Sequence, residues 1–91
     1  MNDQKNTLFS EYDMGGLRLR NRVVMAPMTR NLSPGGVPKD YAPTYYARRA
    51  QGGVGLIITE GVEVSHPAAS GYPNCPNLES DQAKKMWEKV V

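Results

Sequence analysis

Chemistry in this chain gathers where two apolar runs give way to polar residues. The first is NRVVMAPMTR, residues 21–30, in which Val23, Val24 and Met25 lead into Ala26, Pro27, Met28 and Thr29. The second is GLIITEG, residues 55–61, in which Leu56, Ile57 and Ile58 lead into Thr59, Glu60 and Gly61. Pro27 has no backbone donor and stops the first strand, so the residues around it lie in a loop at the strand's C-terminal end. In α/β folds that end is where active sites are assembled. Thr29 offers a hydroxyl donor there, although a β-branched loop residue taken alone is expected to bond to nearby backbone. Glu60 offers a carboxylate. One acid without a second is more often a structural acceptor for an arginine or a backbone amide than a proton-transfer group, and Glu60 is read that way.

Other reactive residue types point nowhere. GGVG at 52–55 precedes a strand instead of joining a strand to a helix, so it is a helix stop and not a phosphate cradle. His66, the one histidine, falls in a loop. Cys75, the one cysteine, has no cationic neighbour in sequence to lower its pKa and fits a reducing compartment. With one Cys and one His there is no paired ligand spacing for a metal. Asn31 and Ser33 form a glycosylation acceptor without meaning in a cytoplasmic protein.

Composition excludes several classes of partner. The chain is 40% hydrophobic and 22% charged with a formal net charge of +2, and no run of basic residues appears. Nucleic acid and anionic membrane are therefore not expected partners. Arg18, Arg20, Arg22 and Arg30 are spaced as solvated strand ends would be. No apolar stretch approaches the ~18 residues of a membrane span. The opening MNDQKNTLFSEYD lacks the apolar core of a signal peptide, so the cytoplasm is the expected location.

The elements that would hold the two strand ends follow from periodicity. Residues 1–13 read as a polar lead-in, Gly15 and Gly16 as a tight turn, and LRLRN as an alternating strand with Leu17 and Leu19 on one side. Val23 to Met28 is the next strand, buried on both faces as in a parallel sheet. RNLSPGGVPKD admits turns and little else. A helix follows, with Asp40 as its cap, Pro43 in its first turn, Ala42, Tyr45, Tyr46 and Ala50 at helical spacing, Arg48 and Arg49 near its C-terminus and Gly52 as its stop. Val54 to Thr59 is a second parallel strand, since strand, helix and strand in that order make a crossover. After a loop from Val62 to Glu79, Ser80 caps a last helix with Ala83, Met86, Trp87 and Val90 on one face and an Asp81–Lys85 pair. Without further elements to cover it, the Met86 and Trp87 face is expected to stand in water, at a cost of about 2 kcal/mol per large side chain.

At APMTR the chain resembles the first barrel strand of the Old Yellow Enzyme family, FMN-dependent ene-reductases with a motif reading APMTR or APLTR. The resemblance continues through LFSEYDMGGLRLRNRVVMAPMTR, PGGVP, YYARRA, GLIITEG and GYPNCP to the last helix. It implies an α/β fold, namely the N-terminal portion of a TIM (β/α)8 barrel, with about two βα units and an N-terminal strand that closes the barrel bottom. It implies FMN as cofactor, NAD(P)H as reductant and an activated alkene as substrate. It sets Ala26, Pro27 and Met28 against the flavin as a wall, gives the Thr29 hydroxyl a bond to flavin O4, and runs the Gly61 backbone beside the ring. Tyr72 matches a loop tyrosine that lines the substrate opening. SHPAASGY is a longer approach to that tyrosine than many relatives have, and Asn77 stands where a glycine is usual after CP.

A (β/α)8 barrel needs typically ~250 residues, and this chain has 91. Residues 1–91 are thus expected to be a partial FMN-binding barrel domain, incomplete at the C-terminus, with no catalytic residue within the segment and with exposed sheet edges that favour self-association. The alternatives are a non-catalytic assembly unit and a flavin-free (β/α)8 lyase.

Overall fold

Tyr12–Met14 (β1) and Leu17–Leu19 (β2) form an antiparallel hairpin in the register Met14↔Leu17. The computed structural model to which they belong describes residues 6–64, 66–69, 71 and 73–91. Gly15 and Gly16 make the turn at φ 63° and 104°, angles that glycine adopts without a Cβ clash, and Asp13 Oδ1 accepts the Gly16 N–H at 2.9 Å. The turn is where the sequence predicts it, but its first strand begins inside the stretch expected to be a polar lead-in. Arg22 lies 4.9 Å from the Tyr12 ring centroid and steadies that strand. Of the two leucines expected on one face, Leu19 is buried and Leu17 is exposed, because cover reaches only the inner end of β2.

Val24–Met25 (β3) and Leu56–Ile57 (β4) pair in parallel, with Val24 opposite Leu56 and Met25 opposite Ile57. The crossover order holds, and both strands are shorter than the apolar runs that mark them. Val24 is 47% and Ile58 45% exposed, so burial on both faces fails: two strands with packing on one side leave the other side open. At the base of the pair, Asn21 Nδ2 donates to Gly53 O at 2.6 Å and Asn21 Oδ1 accepts the Val23 N–H at 3.0 Å. Arg20 donates to Ala50 O and, at 3.1 Å, to Val54 O. The end of the crossover is thereby tied to the start of β3. A Cβ on Gly55 would collide with the Asn21 backbone carbonyl, which is why a residue without one stands there.

Ala42–Gln51 is the crossover helix (α1) and Asp81–Val90 the last helix (α2). Tyr41, not Asp40, is the N-cap of α1, and no side chain caps it; the Ala42 N–H is taken by Lys39 O at 2.9 Å, so a backbone turn does the work expected of the aspartate. At the other end Gly52 is still helical (φ −71°) and the reversal falls on Gly53 at φ 116°. α2 begins as its sequence predicts, with Ser80 Oγ accepting the Ala83 N–H at 3.1 Å. Among the described residues Asp81 and Lys85 form no ion pair, as suits two exposed side chains whose ordering would cost as much as it gained.

The two helices pack on each other, and Ala42, Tyr46, Ala83 and Trp87 form the buried core between them. Trp87 is only 8% exposed, which reverses the expectation that it would stand in water. Its cover comes from within the chain. The Tyr46 ring lies 6.3 Å away, and the Trp87 indole N–H donates to Asn77 O at 3.3 Å.

Candidate functional site

The C-terminal ends of β3 and β4 lie side by side, and both apolar runs therefore deliver their polar residues to one place. The last backbone bond between the strands runs from Ile58 N–H to Met25 O at 3.1 Å. Beyond it, Ala26, Pro27, Met28 and Thr29 leave β3 as an exposed loop, and Gly61 leaves β4 equally exposed. Thr29 and Gly61 line a common recess of about 370 Å³ with Val62, Glu63, Val64 and Cys75. Two of the residues predicted to meet a flavin are thus brought together, with the Ala26–Met28 stretch adjoining. Tyr72, predicted to line the substrate opening, lies outside the described residues.

Segment 73–77 forms the outer wall. Asn74 O accepts the Ser33 N–H at 2.8 Å, Pro76 O accepts the Glu63 N–H at 2.9 Å, and the Asn77 N–H donates to Gly36 O at 2.8 Å. Asn77 also bridges in parallel to Glu63, and its Oδ1 accepts the Glu79 N–H at 3.1 Å. Gly36 is buried at φ 81°, and the space a Cβ would take there is filled by the Asn77 side-chain amide.

The chain neighbours of Thr29 and Gly61 belong to a polar cluster. Arg30 Nη1 is 3.5 Å from Glu60 Oε2, with side chains 11% and 3% exposed. The Tyr46 hydroxyl donates to the same carboxylate oxygen at 3.2 Å and accepts the Glu60 N–H at 3.2 Å. The Arg30 guanidinium lies 3.6 Å from the Tyr45 ring centroid, and Tyr45 meets Tyr46 edge-on at 5.0 Å. Glu60 is therefore the structural acceptor that its sequence position suggests. Arg30 is not the solvated strand-end charge expected. Burial pushes the Tyr46 phenol above its ordinary pKa, with the Glu60 charge adding to the rise, so Tyr46 remains a neutral donor. Burial likewise raises the Cys75 thiol, helped by the Glu63 and Glu60 charges, which keeps it protonated and a poor nucleophile. Glu60 Oε1 and Glu63 Oε2 are buried and accept no bond from the described residues. Among the described residues no three metal-ligating side chains come together, and no helix is long and apolar enough to cross a membrane.

Arg30 and Tyr46 are the site residues that sequence reasoning missed. The available signal was the placement of Arg30 just past one strand and Glu60 at the end of the strand paired with it.

Parallel strands joined by a helix, with an open recess at their C-terminal ends, make a βαβ unit of the class from which α/β folds, (β/α)8 barrels among them, are built. The chain belongs to the NADH:flavin oxidoreductase / NADH oxidase family, whose profile matches residues 7–91. It is 48% identical over 84 residues to 12-oxophytodienoate reductase 7 of Oryza sativa subsp. japonica and 44% identical over 84 residues to 12-oxophytodienoate reductase 1 of the same plant. Each alignment covers 92% of this chain, and 21% and 22% of the respective relative. Morphinone reductase in complex with tetrahydroNAD superposes with a TM-score of 0.83 at 42% identity, over 92% of this chain and 22% of that one. The chain thus spans about a fifth of the length of these relatives. The Old Yellow Enzyme resemblance and the assignment to the N-terminal portion of a TIM barrel both hold, and flavin and a nicotinamide reductant are the cofactors of the family.

Proposed function

We propose that the chain is the N-terminal segment of an FMN-dependent NAD(P)H oxidoreductase that reduces activated alkenes, and that Ala26, Pro27, Met28, Thr29 and Gly61 form one wall of its flavin site. Gly61 carries this reading. Its φ is not in the positive region, and a Cβ built on it meets nothing within 4 Å among the described residues, so neither conformation nor packing among them calls for glycine. Close approach of a flat group to the bare backbone would account for glycine there, and the adjoining recess has room for it. FMN held there would accept a hydride from NAD(P)H and pass it to the β carbon of an alkene activated by a carbonyl or nitro group.

The chain's own residues have simpler roles. Pro27 and Met28 present an apolar surface to the ring plane, and Met28 is 51% exposed and free to do so. The Thr29 hydroxyl donates toward O4, where charge gathers on reduction. Tyr72 takes the substrate side. In a complete enzyme, Thr29→Val should slow flavin reduction and lower the flavin potential by the worth of one bond to a developing charge, roughly 1.5–3 kcal/mol. An unchanged potential in a spectroelectrochemical titration would remove Thr29 from this role.

The chain by itself is a different matter. The loops that grip a phosphate in this fold follow strands seven and eight, which the matched fifth of the relatives does not include. Residues 1–91 are therefore expected to bind FMN weakly and to reduce no alkene. The open sides of Val24 and Ile58 favour self-association over a monomer. A cytoplasmic location is part of the same proposal. The test is to titrate FMN into the chain, following flavin fluorescence and sedimentation, and to assay a protein that continues past Val91 for flavin and for NAD(P)H-driven reduction of cyclohexenone. A colourless, inactive longer protein would sink the proposal; stoichiometric FMN on a monomer of residues 1–91 would refute the expected weakness of the segment.

A further inference from the structure

Thr29 and Gly61 come from different strands, and each is the chain neighbour of one member of the buried ion pair. Arg30 follows Thr29, and Glu60 precedes Gly61. Strand pairing cannot set the distance between the two wall residues, because the last backbone bond between the strands, Ile58 N–H to Met25 O, lies before both. Among the described residues, the one direct polar contact that spans from 26–30 to 58–61 beyond that point is Arg30 Nη1 to Glu60 Oε2. The Tyr46 hydroxyl then ties Glu60 to helix α1 twice, donating to the carboxylate and accepting the Glu60 backbone N–H. Arg30 in turn lies over the Tyr45 ring, so its guanidinium is held from a second side. With both charged side chains nearly shut off from water, the contact is little weakened by solvent or salt.

We propose that Glu60, gripped by Arg30 and Tyr46, is a positioning residue that sets the separation of Thr29 and Gly61 and so the fit of the flavin between them. The inference rests on the flavin reading of the site. Glu60 touches neither cofactor nor substrate in this account; it acts through its two neighbours. A carboxylate at this place does more than any single backbone bond, because one oxygen answers to two elements at once.

Glu60→Gln keeps the shape and removes the charge, and two measurements separate positioning from general stability. In the 91-residue chain, hydrogen exchange should quicken on the order of tenfold at the amides of segment 58–61, where one bond is weakened, while the β1–β2 hairpin is unchanged. In the flavin-loaded full-length protein, Glu60→Gln should lower the flavin potential in the direction of Thr29→Val. It should slow reduction by on the order of tenfold, well within the ~100-fold that a 1 Å displacement can cost. If Glu60 acts through Thr29, the double variant should show the potential of Thr29→Val alone. Tyr46→Phe, which keeps the ring against Trp87 and removes both bonds to Glu60, should give a smaller shift of the same sign and carries the test if the glutamine variant does not fold. A potential that moves with Thr29→Val and stays fixed in both Glu60→Gln and Tyr46→Phe overturns the inference and leaves the flavin reading intact. A full-length protein without flavin overturns the reading instead, and unchanged exchange at 58–61 would then still overturn the positioning role.

Discussion

Replacing Trp87 with alanine is expected to lower the unfolding free energy by about 3–5 kcal/mol, the usual cost of removing a large aromatic from a core. Trp87 closes the space between the helices against Tyr46 and holds segment 73–77 through its indole bond to Asn77 O. Small domains have only about 5–15 kcal/mol in all, so urea denaturation should show a midpoint shifted by roughly a fifth or more of its wild-type value, or no folded baseline. Trp87→Phe should recover most of the loss and forfeit roughly 1 kcal/mol for the indole bond. A loss below about 1 kcal/mol for the alanine variant would mean that Trp87 is not the keystone its burial implies.

Arg30→Met should cost a similar amount for a different reason. Among the described residues it leaves the buried Glu60 carboxylate with the Tyr46 hydroxyl as its one partner, and breaking a buried pair from one side typically costs about 3–5 kcal/mol. Much of that cost belongs to the stranded anion. Adding Glu60→Gln to Arg30→Met should therefore restore a large part of the stability, since removing both charges is far milder than removing one. Denaturation of the two single variants and the double one makes a thermodynamic cycle, and strict additivity would show that the pair contributes nothing as a pair.

The strand–helix–strand order was readable because its punctuation is local: Pro27 ends β3, Gly53 reverses the chain after α1, and Ser80 opens α2 with its own hydroxyl. The two strand ends, and hence Thr29 and Gly61, could be placed for the same reason. What could not be read depends on contacts between distant residues. Arg30 looked solvated because its partner lies past the end of the other strand, and only the parallel register Met25↔Ile57 brings the two together. Tyr12–Met14 carries no alternation of its own and becomes a strand only because Gly15 and Gly16 fold Leu17–Leu19 back on it. Trp87 was expected in water on the premise that its cover belonged to elements outside the chain. Tyr46 and the Asn77 carbonyl supply it from inside. Asp40 had the right chemistry one residue too early, and a backbone turn from Lys39 took its place.

The embrace of Gly36 and Asn77 constrains the order in which this surface can change. Gly36 sits at φ 81° with the Asn77 amide filling the space where its side chain would grow, so the two positions hold one volume between them. A side chain at 36 is admissible only after 77 has shrunk and the backbone at 36 has left the left-handed region. Asparagine at 77 is admissible only while 36 carries none. The Asn77 side-chain oxygen also accepts the Glu79 N–H in the loop before helix α2, so shrinking it first loses that bond. Every mutational route away from the present pair thus passes through a less stable intermediate, and the PGGVP turn and the loop before α2 are bound to vary as a unit.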